Sequence, residues 1–189
     1  NRSILGDARS EKMQSLLNRK IKFRESFRPF APSVLREHVH EWFAMRPGED
    51  SPYMLLVAGV QPDKRLEADE RQGDLGGIDR LLKTVRSTIP AVTHVDYSAR
   101  VQTVDPRRHG RYYRLIKRFA EKTGCPVIIN TSFNVRGEPI VCSPEHAYQC
   151  FMATNMDVLA LEDFVLFKVE QPRAEPHEVD DYLARFNPD

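Results

Sequence analysis

The sequence predicts an α/β domain built on a mixed sheet, and three observations carry the prediction. Its second half reads strand, helix, strand, helix, strand, the rhythm of a parallel α/β core with a mixed edge. Two apolar runs, at 53–59 and 126–130, have the length and composition of buried strands. The chain has 189 residues, 41% hydrophobic and 29% charged, enough to bury a core and too apolar for disorder.

The elements follow in order. Residues 10–20 form a helix, because Met13, Leu16 and Leu17 recur at helical spacing. Residues 27–35 carry Pro29 and Pro32 and should be extended and irregular. A short helix at 37–43 precedes the buried strand at 53–59. Residues 61–77 are polar, with Gly73, Gly76 and Gly77, and read as a mobile loop. Residues 78–87 are amphipathic through Ile78, Leu81, Leu82 and Val85, and Pro90 closes them. Short strands are expected at 91–95 and 100–104. Residues 111–123 form a helix with Leu115, Ile116, Phe119 and Ala120 on one face, ended by Gly124. After the strand at 126–130, Ser143 and Pro144 supply an N-cap and an N1 proline for a helix to about Ala153. Strands at 158–161 and 164–169 and a helix at 179–186 complete the chain.

The formal charge is +1, but it is unevenly spread. Residues 1–46 hold ten Lys and Arg against five Asp and Glu, and residues 100–118 hold seven against one. Residues 157–189 hold three against nine. Basic segments in a near-neutral chain point to a local anion site rather than a polyanion-binding surface. The apolar run at 53–60 is too short to span a bilayer, so no membrane partner is expected. The cysteines, Cys125, Cys142 and Cys150, are dispersed and odd in number, which fits a reducing cytoplasm. The abrupt opening at Asn1 suggests a piece of something longer.

No Gly-x-x-x-x-Gly-Lys-Ser/Thr loop and no Gly-x-Gly-x-x-Gly turn is present, so a nucleotide must be held by another device. One device is the cluster Lys20, Lys22, Arg24 and Arg28, which extended backbone would aim to one side. Such cations repel unless an anion sits between them; the plainer reading is that they face water. A second is Asn130-Thr131-Ser132-Phe133-Asn134-Val135-Arg136-Gly137-Glu138-Pro139, directly after a buried strand. Open α/β sheets bind ligands at such strand ends, and these side chains suit phosphate and ribose oxygens. The plainer reading there is a turn whose hydroxyls satisfy their own backbone. A third is the alternating face of His94, Asp96, Ser98, Arg100 and Gln102, of which Arg100 can take carboxylate or phosphate bidentately. Cys142, His146 and Cys150 along one helix face span about 12 Å, too far for one tetrahedral zinc, and read as packing. His38, His40 and Glu41 match no metal spacing, so no metal site is expected.

Together the blocks resemble a known family. Lys22-Phe23-Arg24-Glu25-Ser26-Phe27-Arg28-Pro29-Phe30-Ala31-Pro32-Ser33, then His94-Val95-Asp96 through Arg100-Val101-Gln102-Thr103-Val104, then Asn130-Thr131-Ser132-Phe133-Asn134 through Gly137-Glu138-Pro139, resemble the C-terminal domain of O-carbamoyltransferases of antibiotic and nodulation-factor biosynthesis. The resemblance runs from Asn1 to about Lys168. That domain is similar to YrdC-like domains, marked by a Lys-x-Arg paired with a later Ser-x-Asn, here Lys22 with Arg24 and Ser132 with Asn134. The resemblance implies a twisted mixed parallel and antiparallel sheet with flanking helices and a positively charged cleft. It implies formation of carbamoyl-adenylate from carbamoyl phosphate and ATP with Mg²⁺, the carbamoyl group then passing to a hydroxyl acceptor on a separate N-terminal domain. That domain would hold an iron-type metal through histidines and aspartates.

On this resemblance Lys22, Arg24 and Arg28 handle the phosphates and the leaving group. Ser132 and Asn134 hold the adenylate phosphate or carbamoyl group, and Arg100 and Arg136 clamp carbamoyl phosphate. Lys20, His94, Asn130 and Thr131 complete the binding set. Residues 1–20 would be a linker and helix following the metal-binding domain, 21–170 the YrdC-like domain, and 171–189 an acidic tail or helix. The alternatives are a free-standing YrdC-like synthase for transfer-RNA modification, an RNA-binding module, and an inert lid of a larger enzyme. The block at 27–33 argues against the first, and near-neutral charge with an acidic tail argues against nucleic acid.

Overall fold

The computed structural model describes residues 2–25, 28–66 and 84–186, which fall into two compact units. The first comprises Ser3–Gln14 and Phe27–Thr131, the second Ser15–Ser26 and Ser132–Asp189.

In the first unit, strands β1 (Ser3–Asp7), β2 (Pro32–Leu35), β3 (Leu56–Gly59), β4 (Ser98–Val104) and β5 (Val127–Ser132, whose last residue belongs to the second unit) form one sheet in the order β1-β5-β2-β4-β3. β2 runs parallel to β4, with Val34 opposite Thr103, and antiparallel to β5, with Ser33 opposite Ile128. β3 is antiparallel to β4. The sheet is therefore mixed at its centre, not only at an edge. Residues 32–35, expected to be extended and irregular, are extended but regular: they are the middle strand and wholly buried. Pro32 is tolerated because it opens the strand, where its missing N–H costs no interior rung. Val34, Val101, Val104 and Ile129 fill the interior.

Helix α1 (Met13–Lys20) bridges the two units in sequence, and α2 (Val39–Trp42) follows a 3₁₀ turn in the first. Helix α3 (Pro106–Thr123) is kinked at Gly110 (φ +36°), so the helix expected at 111–123 is its long arm, preceded by a short helical arm from Pro106. The Asp105 carboxylate caps it, accepting from the N–H groups of Arg107 (3.0 Å) and Arg108 (3.1 Å), and Gly124 ends it at φ +72°. Tyr112 and Ile116 seat it on Leu35, Val104 and Ile128.

Four further expectations meet the structure. The strand expected to be buried at 53–59 is a short edge strand from Leu56, with Leu55 78% and Val57 65% exposed. Residues 91–95 are not a strand: Pro90–Val92 is a 3₁₀ turn, because Pro90 sets a helical φ and Thr93 donates back to its carbonyl (3.3 Å). Of the helix expected at 78–87, residues 78–83 lie outside the described residues; 84–87 are not helical, and Ser87 bridges to Arg65. Of the loop at 61–77, Pro62–Lys64 is a 3₁₀ turn and 67–77 lie outside the described residues.

In the second unit, α4 (Pro144–Met152) opens on the Ser143 hydroxyl, which accepts from His146 N–H (3.2 Å). Strands β6 (Val158–Leu161) and β7 (Phe164–Phe167) make a hairpin, and α5 (Pro176–Ala184) begins three residues earlier than expected, at Pro176 behind a Glu175–Glu178 capping box. Leu17, Ile21, Cys150, Phe151, Leu159 and Tyr182 are buried in this unit. Among the described residues no helix is long and apolar enough to cross a membrane.

Candidate active site around Lys22

Helix α1 ends at Lys20 and the chain hooks back on it. Lys22 N–H donates to Leu17 O (2.8 Å), Phe23 takes φ +47°, and Arg24 N–H donates to Asn18 O (3.0 Å). The hook turns Lys22 inward, to 5% exposure. Its ammonium meets Ser132, the last residue of β5, and the loop that follows, donating to Ser132 O (2.5 Å), Asn134 Oδ1 (2.8 Å), Asn134 O (2.9 Å) and Ser132 Oγ (3.2 Å). Three protons serve four oxygens, so the ammonium is saturated by its cradle. Ser132 Oγ donates to Asn134 Oδ1 (2.6 Å), and Asn134 Nδ2 donates to Glu138 O (2.6 Å). A main-chain carbonyl can only accept, so the Asn134 amide has one permitted orientation, oxygen towards Lys22.

Burial pushes the Lys22 ammonium down to about 8, and the Arg24 charge adds to the fall; Cys150 and Glu138 oppose it. Lys22 is thus a cation at neutral pH that loses its proton far more readily than a surface lysine. The Glu138 carboxylate, 8% exposed, accepts from Val135 N–H (2.8 Å) and from the Tyr182 hydroxyl. Burial pushes the Cys150 thiol up to about 12, with the Glu138 charge acting in the same direction, so Cys150 is a neutral packing residue.

The structure brings together Lys22, Ser132 and Asn134 from the expected set, with Arg24 braced beside them through its Nε on Asn18 Oδ1 (2.6 Å). The four cations do not share one face of a ribbon. Lys20 is exposed at the end of α1 and Lys22 is buried, because 20–24 is a helix end and a turn rather than a strand. Arg136 is exposed in this unit.

The remaining expected residues belong to the first unit, where Arg28 is exposed and Thr131 half-buried. Asn130 is buried and donates to Gln102 Oε1 (2.7 Å), which also accepts from Ser33 Oγ (2.5 Å), so its amide ties β5 to β4. Arg100 is exposed on β4. His94, Asp96 and Ser98 do not alternate along a strand: 94–97 is a turn with Tyr97 at φ +64°, and Asp96 Oδ1 accepts from Ser98 N–H (2.9 Å). His94 lies exposed, 3.3 Å from Asp96 Oδ1.

Cys142 precedes α4 and is exposed, its sulfur 3.2 Å from His146 Nδ1, and His146 is exposed too, so of the three residues expected to pack only Cys150 is buried. Among the described residues no group of three or more His, Cys, Asp or Glu could hold a metal.

Sequence reasoning assigned no role to Asn18, Glu138 or Tyr182. Glu138 stood inside a quoted block, where its buried partner could not be read; Asn18 resembled any polar helix residue. Tyr182 carries no local signal at all.

Comparison with known proteins places these blocks in context. Residues 1–168 match the family described as Carbamoyltransferase C-terminus. The chain is 57% identical over 174 residues to protein sll1178 of Synechocystis sp., covering 92% of this chain and 28% of that protein. It is 36% identical over 169 residues to nodulation protein NolNO of Sinorhizobium fredii, covering 89% of this chain and 22% of that one. Against nodulation protein NolO of Bradyrhizobium diazoefficiens the identity is 37% over 169 residues, 89% of this chain and 27% of that protein. The chain therefore spans about a quarter of the length of these relatives.

Proposed function

This chain belongs to the family of carbamoyltransferase C-terminal domains, and we propose that it is the part of such an enzyme that activates carbamoyl phosphate with ATP. In this reading carbamoyl phosphate yields its phosphate to water and leaves carbamate. A carbamate oxygen attacks the α-phosphorus of ATP, the bond from that phosphorus to the bridging oxygen breaks, and pyrophosphate departs, leaving carbamoyl-adenylate. Mg²⁺ enters with the nucleotide, held through phosphate oxygens. The carbamoyl group then goes to a hydroxyl acceptor on the part of the longer protein outside this chain, which the resemblance equips with an iron-type metal. Three free cysteines fit work in a reducing cytoplasm.

One observation carries the reading. Lys22, next to Arg24, meets Ser132 and Asn134 across 110 and 112 residues of chain, so Lys-x-Arg and Ser-x-Asn form one cluster. Charge accumulates on the α-phosphoryl oxygens and on departing pyrophosphate. The fixed positive charge of Lys22 and Arg24 stabilises it at short range, although the Lys22 protons are already spent on the cradle. Arg24 and Lys22 supply positive charge to the phosphates; the second Nδ2 proton of Asn134 is left for an adenylate or carbamoyl oxygen, and the Ser132 hydroxyl reaches one by turning from Asn134. Arg136, exposed on the same loop, can clamp the incoming phosphate.

The test is pyrophosphate release from ATP and Mg²⁺ by the purified chain, with and without carbamoyl phosphate. Release that depends on carbamoyl phosphate, lost in Arg24→Ala with the circular dichroism spectrum unchanged, is expected. Release indifferent to carbamoyl phosphate refutes the reading, and undiminished release in Arg24→Ala removes that residue from the site.

A further inference from the structure

The second unit buries a carboxylate that the proposed reaction does not use. Glu138 spends its oxygens separately, Oε2 on Val135 N–H (2.8 Å) and Oε1 on the Tyr182 hydroxyl. Tyr182 lies on α5, beyond residue 168 where the family match ends. The end of α5 also touches the same turn. Gly137 takes φ +78°, and a Cβ there would run into the main-chain carbonyl of Phe186. Phe186 in turn packs edge-on against the Tyr182 ring, with centroids 5.2 Å apart.

We propose that Glu138 and Tyr182 are positioning residues of the Lys22 site, the α5 hydroxyl holding the carboxylate that shapes the 134–138 turn and so aims Asn134 at Lys22. The proposal rests on the reading of Lys22, Ser132 and Asn134 as the activating site. Glu138 acts through two of its groups. The Glu138 carboxylate closes the turn on Val135 N–H, and the Glu138 carbonyl receives Asn134 Nδ2. If the turn relaxes, the Asn134 amide loses the acceptor that dictates its orientation. Without Tyr182 the buried carboxylate keeps only the Val135 N–H and the weak Cys150 thiol, which is costly, and the Tyr182 hydroxyl supplies a stronger, charge-assisted bond. Glu138 serves Lys22 as well, since its negative charge favours the ammonium against the repulsion of Arg24. A segment beyond the shared family region thereby completes the support of the shared motif.

Two variants of the 189-residue chain test this. Glu138→Gln keeps the shape: its amide oxygen can accept from Val135 and its NH₂ can donate to the Tyr182 oxygen, but the charge is gone. Tyr182→Phe removes only the hydroxyl. The Lys22 midpoint is read directly by NMR titration of its side chain, which a merely structural role of Glu138 would not move in a set direction. In Glu138→Gln it should fall below that of the wild type, with the dichroism spectrum unchanged.

In Tyr182→Phe the Asn134 side-chain amide protons should exchange faster with solvent. Carbamoyl-phosphate-dependent pyrophosphate release should drop about tenfold, the size expected for one hydrogen bond to a charged group. An unmoved Lys22 midpoint in Glu138→Gln overturns the proposal, as does Tyr182→Phe with wild-type amide exchange. Should Tyr182→Phe not fold, the Glu138→Gln titration decides. A wild-type chain that releases no pyrophosphate refutes the functional reading alone, because the titration and amide exchange still decide the positioning role.

Discussion

Replacing Lys22 by methionine measures what its burial costs, because methionine has a similar reach and no proton to lose. In the folded chain the ammonium titrates at about 8 instead of 10.5. Its folded value lies below its unfolded one, so between these pH values the unfolded chain binds more protons and stability rises with pH. The Lys22 contribution is least favourable below pH 8 and recovers as the pH climbs towards 10.5. At about 1.4 kcal/mol per tenfold change in proton activity, the full effect is about 3 kcal/mol, of which about 2–3 kcal/mol appears between pH 7 and 10. The assay is urea unfolding of both chains at pH 7, 8, 9 and 10. Every other titrating group is common to the two, so the difference between the curves isolates Lys22. The wild type should gain on Lys22→Met by about 2–3 kcal/mol across that range. Parallel stability curves would mean that the ammonium is not buried as described, and the electrostatic argument for the site would fall with it.

Three further substitutions probe the frame. Gly137→Ala should destabilise the chain by about 1–3 kcal/mol in urea, because the left-handed φ and the Phe186 carbonyl both oppose a Cβ; a neutral result would mean that α5 does not seat on this turn. Asn130→Ala should cost about 1–3 kcal/mol by removing the buried donor to Gln102. A stability equal to wild type would show that its amide does not tie β5 to β4. Ser143→Ala should lower stability by about 1 kcal/mol through loss of the α4 cap, read as a lower melting temperature, and an unchanged melt would discount the cap.

Much of the fold was legible because its signals are local. Ser143 followed by Pro144, Gly124 after a periodic apolar face, and the apolar run before Asn130 each act on their own few residues, and the structure realises all three. Where the reading missed, a non-local partner decided. Residues 32–35 looked extended but irregular because prolines precede and open them, yet pairing on both sides by β4 and β5 makes them the central strand. Residues 53–59 looked buried because they are apolar, yet an edge position leaves Leu55 and Val57 in solvent. The alternation drawn through His94, Asp96 and Ser98 failed because Asp96 closes a turn on Ser98 before β4 begins.

The site divides in the same way. Lys22, Arg24, Ser132 and Asn134 were recognisable from the sequence because short motifs carry residue types matched to anionic oxygens, and spacing alone keeps each pair together. Their meeting was a matter of tertiary structure, since a hook after α1 and the end of β5 must converge from 110 residues apart. The burial that lowers the Lys22 proton affinity was likewise invisible in the chain, because desolvation is a property of surroundings rather than of residue type. So was the support from Glu138 and Tyr182, a hydrogen bond across 44 residues that no local pattern announces. The sequence by itself determined which chemical groups are available; the folded packing decided which are desolvated, which are oriented and which one faces another, because those depend on contacts that exist only once the chain has closed on itself.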